Sequence, residues 1–318
     1  MKAYNMKIKI DSTQFQLRKR SPLPSEIELN SEVSWMIGVW AGDNWSSKEG
    51  TVIRGGQKSS GRFGINNNDE EVIQRFLQGL KSQFKITKIK IDVQIPRNLI
   101  IDKENIKLEV SKKFGIEPEN INVYRGSPWR RRIGFAVYTN NTALLRFVNK
   151  EIYKKLPEFI QNNSIDVGAF LQGIADSEGD VDKANKNIGF TTKDTYVASL
   201  IVMCLEKLGI SFKKRIDERQ RIIIEVTSLN EFNQKVGFWI KRKQQALQEM
   251  LCGNFVREKD KFYLKKFEEK LKEGITAKEL SEILGIAYPT VKMVLRNLFS
   301  NKLIERKKSG RNYVYYLP

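Results

Sequence analysis

Two segments decide the reading: Trp35-Met36-Ile37-Gly38-Val39-Trp40-Ala41-Gly42-Asp43-Asn44 and Phe170-Leu171-Gln172-Gly173-Ile174-Ala175-Asp176-Ser177-Glu178-Gly179. Each reads as a short apolar helix with a Gly, a small residue four positions on, and an acid directly after it. Residues four apart share a helix face, so Gly38 with Gly42, and Gly173 with Ser177, form stripes along which two backbones can approach closely. The expected partner of each helix is the other. Side by side about a pseudo-dyad, they bring Asp43 and Glu178 together at their C-terminal ends, where the helix dipole is already negative and the last carbonyls lack intrahelical partners. Two carboxylates are costly there unless divalent cations sit between them on hard oxygen ligands.

Working outward, Gly64-Ile65-Asn66-Asn67-Asn68-Asp69-Glu70-Glu71-Val72 aligns without a gap with Gly189-Phe190-Thr191-Thr192-Lys193-Asp194-Thr195-Tyr196-Val197. Both run from an alternating strand into an Asp placed to cap a helix, and the helices are expected to end at Leu80 and Leu205. Two related halves follow. Lys85 to Pro96 and Arg132 to Thr139 alternate as strands of the first half, around an inserted helix near Asp102 to Phe114. Ile210 to Ile216 and Arg221 to Thr227 form a hairpin in the second, turning at Asp217-Glu218-Arg219. The expected fold class is α+β, each half holding a small antiparallel sheet. Met6 to Leu17 alternates as an added strand, followed by a basic, Pro-containing linker.

Beyond Gly253 the pattern becomes three short helices and a hairpin. Phe262 to Leu271 is amphipathic, Thr276-Ala277-Lys278-Glu279 is a capping box for a helix that Gly285 closes, and Pro289 opens a helix running to about Phe299. Leu303 to Arg306 and Tyr313 to Leu317 flank a basic turn, Lys307-Lys308-Ser309-Gly310-Arg311. The expected organisation is an extension over 1–30, halves over 31–155 and 156–254, and a terminal domain over 255–318.

Of the 318 residues, 56 are Lys or Arg and 37 Asp or Glu, a net charge of +19 that points to a polyanionic partner, nucleic acid foremost. A hydrophobic content of 40% is enough for packed cores. The absence of histidine removes Ser-His-Asp and Cys-His nucleophiles, His-ligated zinc and histidine general bases. Chemistry is left to carboxylates, lysines and metals held by oxygen. Cys204 and Cys252 lie in helical, apolar sequence and are expected as reduced core residues. No apolar run is long enough to span a membrane and the first residues open no signal peptide, so the expected location is cytoplasmic with no membrane partner.

On these residues the paired segments resemble the two LAGLIDADG motifs of single-chain homing endonucleases, over about residues 31 to 250. Asn233 to Leu247 is similar to the segment ending that family's repeat, where a basic residue lies near the cleavage centre. The second motif is close to the family pattern. The first departs from it, with Trp40-Ala41 where Ile-Asp is common and Asn44 where Gly is common, Asn being tolerant of a left-handed helix end. Residues 256 to 318 resemble a winged helix-turn-helix domain with Pro289 to Asn297 as recognition helix.

The resemblance implies αββαββα-type halves forming a saddle on double-stranded DNA, and a monomer that cuts both strands site-specifically, leaving short 3′ overhangs. It implies Mg2+ bound by Asp43 and Glu178 with carbonyl oxygens from Gly42 and Ser177; Mn2+ would substitute, and Ca2+ would bind without supporting cleavage. Lys58, Lys186 and Lys241 would stabilise the pentacovalent phosphorane. The outward saddle residues would include Arg54, Gln57, Lys58, Arg62, Arg125, Trp129, Arg130, Arg131, Arg132, Lys213, Arg215, Arg219 and Arg221. The winged domain would add Thr290, Lys292, Arg296, Lys307, Lys308 and Arg311. Alternatives are a non-catalytic DNA-binding regulator on the same scaffold and an RNA splicing maturase with intron RNA as partner. Keeping both acids favours the nuclease, since a pure binder gains nothing from their repulsion. An intein, which ends in His-Asn, is disfavoured by the missing histidine.

Overall fold

The computed structural model describes residues 6–10, 23–44, 61–99, 102–126, 131–183, 185–252, 258–310 and 312–318. They fall into two compact units, one reaching Val181 and including Asn187–Gln244, the other comprising Asp182–Lys186 and Gln245–Pro318. In the first unit, β1 (Lys7–Lys9) pairs antiparallel with β2 (Glu26–Glu28), Ile8 opposite Ile27. Among the described residues the added strand is Lys7–Lys9, and residues 11–17 lie outside the described set. α1 (Ser31–Gly42) follows, its first turn capped by Asn30, whose side chain accepts from the Val33 amide at 2.9 Å.

The first half continues with β3 (Phe63–Asn67), α2 (Glu70–Ser82), β4 (Lys90–Ile95), α3 (Lys103–Phe114), β5 (Ile121–Arg125), β6 (Gly134–Thr139), α4 (Thr142–Phe147) and α5 (Leu156–Gln161). The second runs α6 (Val167–Glu178), β7 (Gly179–Asp182), β8 (Asn187–Thr192), α7 (Thr195–Leu208), β9 (Phe212–Ile216), β10 (Ile222–Val226), α8 (Leu229–Lys235) and α9 (Lys241–Leu251). The sheet orders are β3-β6-β4-β5 and β7-β8-β10-β9, so β3, β6 and β4 occupy the places of β8, β10 and β9. The halves are duplicates, as the repeat requires.

Several boundaries move. α2 runs past Leu80 through exposed Lys81 and Ser82, and α7 past Leu205 through exposed Glu206 and Lys207 to half-buried Leu208; at these polar residues the apolar repeat lapses. Lys85 takes φ 55° and turns the chain, so pairing starts only at Lys90. The first-half sheet is not purely antiparallel. The inserted α3 returns the chain to the starting edge of β4, and β5 adds in parallel, Ile91 opposite Ile121. Cys204 is buried but Cys252, just past α9, is exposed; both are free thiols, which corrects the expectation of two core residues.

The second unit contains α10 (Glu258–Glu273), β11 (Ile275–Thr276), α11 (Ala277–Leu284), α12 (Tyr288–Ser300), β12 (Glu305–Ser309) and β13 (Asn312–Tyr316), with sheet order β11-β13-β12. The Thr276–Glu279 capping box forms, Gly285 closes α11 at φ 60°, and Pro289 lies in the first turn of α12. Phe267, Leu271, Leu280, Val291, Leu295 and Leu298 build its core. The terminal hairpin is longer than expected: Lys307 and Lys308 lie within β12, opposite Val314 and Tyr313, rather than in the turn. Strand alternation therefore puts them on opposite faces.

Candidate active site

α1 and α6 are the central pair of the first unit, and the glycine stripe is where they meet. A Cβ on Gly38 would run into the Phe170 carbonyl and come within 3.1 Å of the Gly173 Cα; one on Gly173 would meet the Trp35 carbonyl and lie 2.7 Å from the Val39 nitrogen. At the C-terminal end, a Cβ on Gly42 would lie 2.9 Å from the Glu178 Cγ and 3.0 Å from the Ser177 Cβ. The two acids thus end abutting helices. Neither motif ends in a left-handed residue: Asn44 bridges Ile65 and Gly179 has φ −73°. Gly179 is required by close approach instead, since a Cβ there would lie 3.0 Å from the Ala175 Cα.

Asp43 receives a hydrogen bond from the Asn67 side-chain amide on β3. Burial raises its pKa from 3.8 to about 7; Asn67 and Lys243 pull it down, while Glu178 and Asp69 push it up. Burial likewise raises Glu178, and Lys243 opposes the rise. Among the described residues the cation acting on both acids is therefore Lys243, which the sequence reading did not single out. It is buried on the first turn of α9, its ammonium donating to the carbonyls of Ala175 at 2.9 Å and Asp176 at 2.7 Å, the negative end of α6. Burial lowers its own pKa, and Asp176 and Asp43 hold it up. A signal was present: Lys243 falls in register with Ile240, Ala246, Leu247 and Met250 on the buried face of an amphipathic helix.

Asp176 is the second residue missed. Its carboxylate accepts from Trp35 Nε1 at 2.9 Å and from the Trp239 and Ile240 amides at 3.0 and 3.3 Å, yet burial still raises it to about 6. The first motif carries Ala41 at this position, so the halves are chemically unequal here. They also differ at the cap. Asp194 caps α7 through the Tyr196 and Val197 amides, whereas Asp69 makes no side-chain cap and instead holds the Arg242 guanidinium through both oxygens, at 3.2 and 2.9 Å.

Of the proposed lysines, Lys186 is exposed in the turn before β8 at φ 52°, and Lys241 is exposed with its amide donating to Glu71. Neither is among the charges acting on the acids. Ser177 turns its hydroxyl back onto the Gly173 and Ile174 carbonyls. Lys213 and Arg215 lie opposite Glu225 and Ile223, on the sheet face away from buried Ile222, Ile224 and Val226, and Arg215 pairs with Glu225 at 3.1 Å. Arg131, Arg132 and Arg219 are exposed. Arg221 is tied to Asp217 at 2.7 Å. Arg62 lies over the Tyr138 ring at 4.9 Å. Arg125 is exposed; it stands in register with Ile95, and its guanidinium donates to the Leu99 and Pro96 carbonyls. Lys58, Arg54, Gln57, Trp129, Arg130 and Arg311 lie outside the described residues.

Among the described residues no group of three or more His, Cys, Asp or Glu side chains could hold a metal, so a cation here would rest on two carboxylates plus backbone or ligand oxygens. That donor set fits a hard divalent ion: burial disfavours the charge on both carboxylates, and an entering cation offsets that cost. The same physics sets a testable sign. Asp43 is raised in the fold, so its stabilising contribution is present below about pH 4 and lost as pH rises toward 7. In metal-free buffer at about pH 8, Asp43→Asn should therefore melt higher than wild type, by on the order of 2 kcal/mol, with the difference vanishing near pH 4. Melting curves with and without chelator check this; a destabilised variant at high pH would contradict it.

Duplicated α+β halves, meeting along glycine-lined helices that end in paired carboxylates, define the class of protein. Residues 166–237, from the N-cap of α6 to just past α8, match the family model described as the LAGLIDADG-like domain. No curated protein matches the chain. Among solved structures it is similar to I-DmoI in complex with DNA and Mn, at 15% identity over 65% of this chain and 96% of that one with a TM-score of 0.43. It is also similar to the homing endonuclease I-WcaI bound to its DNA recognition sequence, at 14% identity over 67% and 85% with a TM-score of 0.39.

Proposed function

We propose that the chain is a site-specific DNA endonuclease that cuts both strands, leaving short 3′ overhangs, and works as a monomer because both acids lie in one chain. The observation that carries this is the convergence of Asp43 and Glu178 at abutting helix ends, with Lys243 the buried cation acting on both. Asp43 and Glu178, with backbone oxygens of Gly42 and Ser177, would hold a divalent cation such as Mg2+, which supplies Lewis acidity toward a phosphate. Lys243 favours the ionised form of both acids, and Asn67 fixes the Asp43 carboxylate. The basic excess and the outward Lys213 and Arg215 supply attraction to the duplex, whose major groove admits a β-ribbon. The match over residues 166–237 supports the reading. A supercoiled plasmid library incubated with Mg2+ or Mn2+ should yield one unique cut per susceptible plasmid; no cutting with either ion would overturn it.

We also infer that the second unit is a winged helix that binds DNA. Its order of helix, strand, two helices and hairpin supports this, as do exposed Lys292 and Arg296 on α12; Thr290 on the same helix is half-buried. Only one of Lys307 and Lys308 can face the same groove as α12, and Lys308 shares its face with Tyr313 and Arg306. Arg306 stacks between Phe299 and Tyr313 at 4.2 and 4.3 Å and braces the ribbon against α12. Lys292→Ala and Arg296→Ala should each make the log–log salt dependence of binding shallower by about 0.9. Unchanged slope and affinity in the double variant would remove α12 from the interface.

A further inference from the structure

We propose that Arg75 is a positioning residue: it clamps the Trp239 loop onto α6 and so holds the Lys243 ammonium at the end of that helix, beside the two acids. The catalytic consequence rests on the endonuclease reading; the clamp does not. Arg75 belongs to α2, remote in sequence from everything it touches. Its guanidinium carbon lies 4.0 Å from the Trp35 ring centroid and 4.1 Å from that of Trp239, so the planar cation is sandwiched between an indole of α1 and one of the loop before α9. Its nitrogens reach Glu32 Oε2 at 2.9 and 3.1 Å and Gln172 Oε1 on α6 at 3.3 Å.

The two indoles are joined on their other side. Trp35 Nε1 donates to one oxygen of Asp176, and the Trp239 amide donates to the other, at 2.9 and 3.0 Å. Arg75, Trp35, Asp176 and Trp239 thus form a closed ring that contains the point where the chain enters α9. Trp239 is 49% exposed, so burial alone does not hold it; Arg75 stacks on its ring and Asp176 takes its amide. The Ile240 amide also binds Asp176, the Gln244 amide binds the Ile240 carbonyl at 2.9 Å, and Lys243 sits in that turn. A shift of the loop therefore moves the ammonium off the Ala175 and Asp176 carbonyls. Only arginine can stack on two rings while forking to Glu32 and Gln172; lysine would keep the charge and lose the plane.

The test uses full-length Arg75→Lys and Trp239→Leu, alone and combined with Lys243→Met, on a site recovered from the plasmid library. Two readouts are taken: cleavage rate at saturating protein in Mg2+ beside DNA affinity in Ca2+, and acetylation of Lys243 by acetic anhydride without DNA, followed by mass spectrometry. Displacement of a positioned group by about 1 Å can cost about a hundredfold in rate. We expect each variant to lose about tenfold to a hundredfold in rate with affinity unchanged, to acetylate Lys243 faster than wild type, and to cause no further loss in the Lys243→Met background. Lys243 acetylation at the wild-type rate in both variants, or an equal loss of rate with Lys243 already removed, would overturn the clamp. If the wild-type protein cuts no DNA, the endonuclease reading falls and the acetylation comparison still decides: faster supports the clamp, unchanged overturns it.

Discussion

Replacing Asp43 by Asn, or Glu178 by Gln, is expected to lower double-strand cleavage about a thousandfold while leaving DNA affinity in calcium nearly as it was. Charge stabilisation by a bound metal is worth several kcal/mol, and each 1.36 kcal/mol is a factor of about ten in rate. Each substitution removes one anionic ligand but almost no volume. Neither acid lies on the open sheet faces, where Lys213 and Arg215 point outward, so the binding surface stays intact. Folding should survive as well, because Asp43 is held against its electrostatic preference in the metal-free protein, burial having raised it to about 7. A double variant, Asp43→Asn with Glu178→Gln, that still cut at the wild-type rate would remove these acids from the chemistry. Loss of cutting with a melting temperature no lower than wild type and retained binding in calcium is the supporting result.

Gly173→Val should lower stability by about 3 kcal/mol and abolish cleavage with it, the upper part of the usual range for overpacking. The atoms that a side chain at Gly173 would meet are the Trp35 carbonyl, the Val39 nitrogen and the Gly38 Cα, all backbone. Backbone in a helix cannot rotate aside, so the helices must separate, and the two acids ride on their ends. Gly189→Ala is the matched control: a Cβ there meets nothing within 4 Å, and its melting temperature should not fall. A Gly173→Val protein with wild-type melting and cleavage would show that α1 and α6 tolerate a wider spacing than the structure gives.

What the sequence determined by itself is what repeats within one element. The spacing of Gly38 with Gly42 and of Gly173 with Ser177 is a helix-face property, and it was enough to pair α1 with α6 and to bring Asp43 and Glu178 to one end. The Thr276–Glu279 box, the Asp194 cap and the Gly285 stop are equally local, since the groups that satisfy them lie within a few residues. Tertiary structure alone decided which charge meets which. Arg242 takes the Asp69 carboxylate from 173 positions away, so the expected cap at Asp69 does not form. Trp35 and Asp176 are 141 positions apart, and nothing in either segment reveals their bond. Lys243 was passed over for Lys241 because a lysine on an apolar helix face has no meaning until the helix end it caps is in place. The Lys307–Lys308 pair lies in a strand and not in the turn for a related reason: where a hairpin turns, and which face of it is open, depends on register with its neighbours. Covalent order specifies the geometry of a turn of helix or a run of strand, but the partners of a buried charge are set by packing across the chain.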